Sequence, residues 1–321
     1  DRSEYEQYSN EPLTLNFHRT DHKDGSATYL REFLRQYMMA KRPARTDYPS
    51  WNYVQFVADS IAWDSDPLYG WCNKNFKKDG SPYNVYSDGL KVFTTIDSRM
   101  QRYAEEAVYQ HVARYLQPAF DKENKPKPSS PFSDKLTPKQ IRAILNRSIT
   151  QSERWRTMKA AGYTPGEINQ AFRQKIEMTV FTYHGDIDTL MSPLDSIRYY
   201  KEFLRSGFMS MDPKTGAVKA YVGGLDYPHF MYDMVSLGRR QVGSTIKPFL
   251  YSLAMENGFT PCDYAPNRQQ TYIVAGKPWT PRNANHARYG QMVPLKWGLA
   301  QSNNWISAYL MSKLNPSQFV Q

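Results

Sequence analysis

Cysteine is nearly missing from this sequence. Its two residues, Cys72 and Cys262, lie far apart and in no C-x-x-C arrangement. That excludes a disulfide-framework domain and a thiolate zinc knuckle, and leaves open one bridge or two free thiols. Histidine is scarce too, with six residues and no H-E-x-x-H or other ligand spacing. His18 and His22 stand four apart, but the residues between them do not read as a helix, so no metal site is expected. No run of eighteen apolar residues occurs, so no segment here is expected to cross a bilayer. A Walker loop is also missing, and no cofactor is expected. Acidic residues are in deficit, 31 against 41 Lys and Arg, for a net charge of +10. That balance permits an anionic surface such as a membrane face, an acidic wall polymer or nucleic acid. The basic residues are spread along the chain without a helix-turn-helix or an arginine stripe, and no nucleic-acid partner is expected.

What is present points to a folded chain: 24 Tyr, 7 Trp and only 22% charged residues. Its 321 residues can bury one substantial core, or a core plus a smaller module. Residues 1–90 are irregular in pattern except at 27–39, where Tyr29, Leu30, Phe33, Leu34, Tyr37 and Met38 share one helical face. Residues 83–96 read as a strand. Asp97 reads as the N-cap of a helix over 98–116. Residues 118–138 look like a linker, with Pro118, Pro126, Pro128 and Pro131.

Two capping boxes follow, Thr137-Pro138-Lys139-Gln140 and Thr164-Pro165-Gly166-Glu167. They predict helices of roughly 20 and 10 residues. Residues 179–183 predict a strand, and Ser192-Pro193-Leu194-Asp195 starts a helix toward Leu204. A hairpin is expected over 207–212 and 217–223, turning at Asp212-Pro213-Lys214-Thr215-Gly216. Beyond it come a helix to Glu256, an irregular stretch over 258–291, a helix from Pro294 that breaks near Ser302, and a last helix to Leu314. The class is α+β, with helices around antiparallel sheet.

The chemistry lies in Gly243-Ser244-Thr245-Ile246-Lys247. Residues three apart are neighbours on a helix, so Ser244 and Lys247 share one face of a first turn. A lysine made neutral by burial can take the serine proton, and the helix N-terminus offers N–H groups to an oxyanion. Alone the pattern is weak, because an N-cap serine and a solvated lysine write the same letters. Fifty-eight residues later stands Ser302-Asn303-Asn304, followed by an apolar stretch. Ser-x-x-Lys followed by Ser-x-Asn is the ordered motif pair of penicillin-recognising serine acyltransferases.

The surrounding residues resemble one branch of that group, the class A penicillin-binding proteins. The run from Gly207 to Gly224 is similar to their strand-turn-strand before the nucleophile. The segment 89–97 with Gln101 resembles the start of that region, and Trp279, Pro281 and Asn283 resemble the segment before Ser-x-Asn. The resemblance begins near Pro12. The third family motif, Lys-Thr/Ser-Gly, does not follow Ser302. Lys214-Thr215-Gly216 precedes Ser244 in a hairpin turn, and Ser50-Trp51-Asn52 is also misplaced, so neither counts as site evidence.

The resemblance implies a penicillin-binding-protein/β-lactamase-like serine transpeptidase fold, present here as a piece of a longer protein. Residues 1–90 would be a linker region after an absent glycosyltransferase domain. Residues 91–321 would be the N-terminal part of the transpeptidase domain, with a helical insertion over about 118–175 and the Lys-Thr/Ser-Gly strand absent. Ser244 would attack the D-Ala-D-Ala carbonyl of a peptidoglycan stem peptide, with Lys247 as base. Ser302 would relay the proton and Asn304 would hold the substrate amide. Gly243, Trp279, Asn283 and Asn303 would line the substrate side, a plain loop amide being the simpler role for Asn303.

Stem peptides and β-lactams are the implied partners. A membrane anchor is expected in the full-length protein, with a possible wall-synthesis complex at the periplasmic face of the bacterial inner membrane. The competing enzyme reading is a DD-carboxypeptidase or serine β-lactamase, which needs a deacylating carboxylate; between the two motifs only Glu256 occurs. The non-enzyme reading is an inert binding or scaffold module that lacks the third motif.

Overall fold

Short polar side chains begin the helices that the sequence marks most clearly. In the computed structural model, which describes residues 1–9, 23, 25–124 and 127–320, Thr137 and Thr164 each accept the backbone N–H three residues on. Gln140 and Glu167 accept the return bond from the threonine N–H. Both expected capping boxes therefore form, each with proline at the first helical position. Asp97 takes the N–H groups of Arg99 and Met100, and Ser192 takes that of Asp195, satisfying otherwise unpaired first-turn donors. His18, His22, Pro12 and Pro126 lie outside the described residues. Among the described residues no group of three metal-ligating side chains gathers, and no helix is long and apolar enough to cross a membrane.

The chain forms two units, Asp1–Gly238 and Arg239–Gln321. Helices of the first are α1 (Arg2–Ser9), α2 (Thr28–Met38), α3 (Tyr53–Ser65), α4 (Trp71–Lys74), α5 (Ser98–His111), α6 (Gln117–Asn124), α7 (Pro138–Gln151), α8 (Glu153–Ala160), α9 (Pro165–Ala171) and α10 (Pro193–Glu202). Its strands form two antiparallel hairpins, β1 (Ile176–Val180) with β2 (Ile187–Met191), and β3 (Phe208–Met211) with β4 (Val218–Val222). The β3–β4 turn is Asx chemistry: the Asp212 carboxylate accepts the N–H groups of Lys214 and Thr215, and Gly216 sits at φ 73°. Lys214-Thr215-Gly216 is thus a turn.

Helix α5 docks on β4 through Gln101, which is fully buried. Its amide oxygen accepts from Tyr221 N–H at 2.7 Å, and its amide nitrogen donates to the Tyr221 carbonyl at 2.8 Å. Asp97 N–H donates to Lys219 O, and the Thr95 hydroxyl donates to Val218 O. A side-chain amide and a short extended segment so replace a third strand beside β4.

Three expectations are corrected here. Residues 83–96 are not a strand: Asp88 closes a turn by accepting Asn84 N–H, and Phe93 is 94% exposed, while Ile96 at the end of the segment packs against the Tyr29, Tyr221 and Tyr227 cluster. The stretch from Pro118 is helical as far as Asn124. A π-helical turn over Val112–Leu116 widens the helix just ahead of the proline, whose ring and missing N–H break an ordinary ladder. The long helix after Thr137 is two, because Ser152 turns extended (φ −72°, ψ 150°) and its hydroxyl caps α8. Cys72 is buried and Cys262 exposed, both as free thiols.

The second unit comprises α11 (Lys247–Glu256), β5 (Tyr264–Pro266), β6 (Tyr272–Val274), β7 (Lys277–Trp279), β8 (Met292–Pro294), α12 (Leu295–Ala300), α13 (Asn304–Lys313) and α14 (Pro316–Val320). Strand β5 pairs antiparallel with β8, and β6 with β7. The expected irregular stretch 258–291 therefore carries three short strands. The β6–β7 turn places Ala275 and Gly276 both at positive φ, 49° and 75°, and alanine there gives no turn signal. Leu250, Ala254, Ala265, Val293, Leu295, Ile306 and Leu310 close the core that fixes α11 against α12 and α13.

Candidate functional site

The end of α12 determines how Ser302 is presented. Ser302 N–H donates to Leu299 O and Asn303 N–H to Gly298 O. These are the two bonds of a Schellman ending, which puts Ser302 where glycine is usual. Ser302 accordingly has φ 49°, a left-handed torsion that costs a non-glycine residue about 1 kcal/mol or more. The reversal turns both its carbonyl and its hydroxyl toward the start of α11.

Lys247 occupies that start. A 3-10 turn over Gly243–Ile246 leads into α11, and Lys247 is only 5% exposed. Its Nζ donates to Ser302 Oγ at 3.1 Å, to the Ser302 carbonyl, and to Asn304 Oδ1 at 2.6 Å. Burial pushes the Lys247 amine below its ordinary value, while three acceptors around the ammonium oppose that shift. Ser244 is exposed on that 3-10 turn; its carbonyl accepts the Lys247 backbone N–H, and among the described residues no hydrogen bond joins its hydroxyl to the Lys247 amine. Gly243 has φ 55° and open space where a Cβ would stand. Its backbone torsion calls for glycine.

Asn304 is held on three sides. Its Nδ2 donates to the Arg282 carbonyl at 2.7 Å, its backbone N–H donates to Asn283 Oδ1 at 2.6 Å, and its Oδ1 accepts from Lys247. Asn283 is thus engaged with the motif itself. Asn303 is 4% exposed, and its amide is engaged at both ends within the fold, in keeping with the loop-amide role. Its Oδ1 caps α13 by accepting the Trp305 and Ile306 N–H groups, and its Nδ2 donates to Asn267 Oδ1 at 2.8 Å. Trp279 stands half exposed on β7 and lines a cavity of about 1010 Å³ with Tyr272, Arg282, Asn304 and Ser307. Neither Ser244 nor Lys247 lines that cavity.

Sequence reasoning missed Asn267 and the Arg282 carbonyl. Asn267 is fully buried and donates through Nδ2 to Ala287 O and Arg288 O while holding Asn303. A lone asparagine thirty-six residues from its partner carries no local signal, and a backbone carbonyl carries none at all. Chemically, the cluster joins an amine, a hydroxyl and a primary amide at one helix start. That set suits proton transfer beside an exposed serine.

Two family models match the chain: a penicillin-binding protein middle domain over residues 127–204, and a penicillin binding protein transpeptidase domain over 206–321. Penicillin-binding protein 1A of Neisseria flavescens is 27% identical over 271 residues, which is 77% of this chain and 34% of that protein. Penicillin-binding protein 1A of Vibrio cholerae is 27% identical over 271 residues, 72% of this chain and 32% of that protein. Penicillin-binding protein 2D of Bacillus subtilis is 36% identical over 103 residues, 32% of this chain and 15% of that protein. The crystal structure of penicillin-binding protein 1A from Haemophilus influenzae superposes with a TM-score of 0.51 at 21% identity, covering all of this chain and 44% of that one. That likeness gives the mixed α+β fold. The chain spans about a third of the length of the first relatives it matches.

Proposed function

We propose that this chain, which belongs to the class A, penicillin-binding-protein-1A-like family and carries its middle domain and part of its transpeptidase domain, takes part in peptidoglycan cross-linking through a serine acyl-enzyme. The observation that supports this most is the convergence of Lys247, Ser302 and Asn304 within hydrogen-bond reach, from two motifs far apart in sequence.

In this reading Ser244 Oγ attacks the carbonyl between the two D-alanines of a stem peptide. Its proton passes to neutral Lys247. Ser302 Oγ, 3.1 Å from Lys247 Nζ, delivers a proton to the departing D-alanine amine. An amine of a neighbouring stem then attacks the acyl carbon and gives up a proton to Lys247, and the ester C–O bond breaks as Ser244 Oγ takes a proton back from Lys247. Asn304 has two amide hydrogens. Arg282 O takes one, which leaves the other for a substrate carbonyl. The Ser244 N–H is one donor for the oxyanion. Penicillin would acylate Ser244 by the same attack, its ring holding the leaving nitrogen in place. The site of action would be the periplasmic face of the inner membrane. A hydrolase would need a carboxylate aiming water at the ester, and Glu256 ends α11, at the other end of the helix from Lys247.

Intact-mass analysis after incubation with penicillin tests the proposal. One penicillin adduct in the wild type, lost in Ser244→Ala, supports it. An adduct that survives Ser244→Ala removes Ser244 as nucleophile.

A further inference from the structure

We propose that residues 281–283 form a positioning strap, in which Asn283 fixes Asn304 so that its amide oxygen, and not its amide nitrogen, faces Lys247. This deepens the acyl-transfer reading above and rests on it. It assigns Asn283 to the machinery that orients the motif.

Three consecutive residues fasten the strap. Pro281 O accepts the Trp305 indole N–H at 3.0 Å, Arg282 O accepts one Asn304 amide N–H at 2.7 Å, and Asn283 Oδ1 accepts the Asn304 backbone N–H at 2.6 Å. That backbone N–H is the first of the unpaired donors of α13. Asn303 already takes the next two, from Trp305 and Ile306, so without Asn283 the first has no partner in the motif. Because Arg282 O can only accept, the Asn304 amide nitrogen must face it. The amide oxygen is thereby turned to Lys247, whose ammonium can only donate. A slack strap would let the amide swing or flip, bringing an N–H against the lysine. It would also carry away the second N–H meant for substrate.

Asn283 acts through Asn304 and needs no contact with substrate. No ionised partner competes for Lys247: among the described residues no carboxylate forms an ion pair with it. Tyr251 follows one turn later on α11, and Arg282 on the strap is exposed.

The test compares wild type, Asn283→Ala and Asn283→Asp in the full-length protein. Two readouts are taken, the rate of penicillin acylation against pH and the titration of the Lys247 Cε carbon by NMR. Losing one buried hydrogen bond should slow Asn283→Ala acylation about tenfold. Its Lys247 titration should also move to lower pH, because the ammonium loses a fixed acceptor. Asn283→Asp keeps the acceptor and should regain the plateau rate at high pH. If Asn283→Ala does not fold, Asn283→Ser carries the same expectations, since its hydroxyl is too short to reach the Asn304 N–H.

An unmoved Lys247 titration overturns the inference, whether the rate falls or not, because a merely structural residue would lower activity without touching that titration. Failure of the acyl-transfer reading looks different. There the adduct persists in Ser244→Ala, while the Lys247 titration still judges the strap.

Discussion

The ammonium of Lys247 and the amide oxygen of Asn304 meet at 2.6 Å although fifty-seven residues separate them in sequence. The contact joins the first turn of α11 to the first turn of α13, and the Schellman ending of α12 adds Ser302 to it. All three helices share one apolar core, so the proton-handling groups are held by packing as well as by their own bonds.

Acylation should rise with pH through a value below the ordinary 10.5 of a lysine, because burial lowers Lys247. The stability term has a definite sign. The unfolded chain binds this proton up to a higher pH than the folded one, so stability increases as pH climbs between the two values and is reduced below both. Penicillin acylation rates followed across pH up to the ordinary lysine value check the first statement. A wild-type profile that follows an unshifted lysine would contradict it.

Ser302→Gly and Ser302→Ala both delete the hydroxyl and should both lose acylation. They should differ in stability, with the glycine variant more stable by about 1 kcal/mol because only alanine keeps the penalty of positive φ. Urea denaturation of the pair gives the difference directly. Equal midpoints would show that the turn carries no such cost.

Much of this site was legible in the sequence, and for a physical reason. Helix starts are local chemistry, so Asp97, Thr137, Thr164 and Ser192 declare themselves in four residues. The positions of Ser244, Lys247, Ser302 and Asn304 follow from motif order. What escaped depends on long-range pairing. The strand expected over residues 83–96 failed because no sheet face was there to receive Phe93, and β5 is held by β8 across more than twenty residues. Asn267 and Asn303 look alike in sequence to any loop asparagine, yet their mutual bond buries both.

Asn303→Ala should destabilise the protein by about 2–3 kcal/mol, combining a lost helix cap with an unpaired buried amide on Asn267. Thermal or urea unfolding measures it. A loss within about 0.5 kcal/mol, typical of surface positions, would place Asn303 outside the scaffold.

Gly298→Ala should be costly for a different reason. An added Cβ would lie 2.8 Å from Ile306 Cγ2 and 2.9 Å from the Tyr251 hydroxyl. Overpacking of that kind costs about 1–3 kcal/mol. Gly243→Ala meets open space and should lose only the torsional term of about 1 kcal/mol. Denaturation midpoints in the order wild type, Gly243→Ala, Gly298→Ala are expected, and the reverse order of the two variants would refute the packing argument.

The grip of Gln101 on Tyr221 gives the β3–β4 hairpin a direction of growth. Along the outer side of β4, Val218 O, Lys219 O and both polar groups of Tyr221 are already taken by Thr95, Asp97 and Gln101. A strand that joins a sheet must find free N–H and C=O groups. Beside β4 there is no such row. A strand added to this hairpin is therefore directed away from β4, to the side of Phe208–Met211.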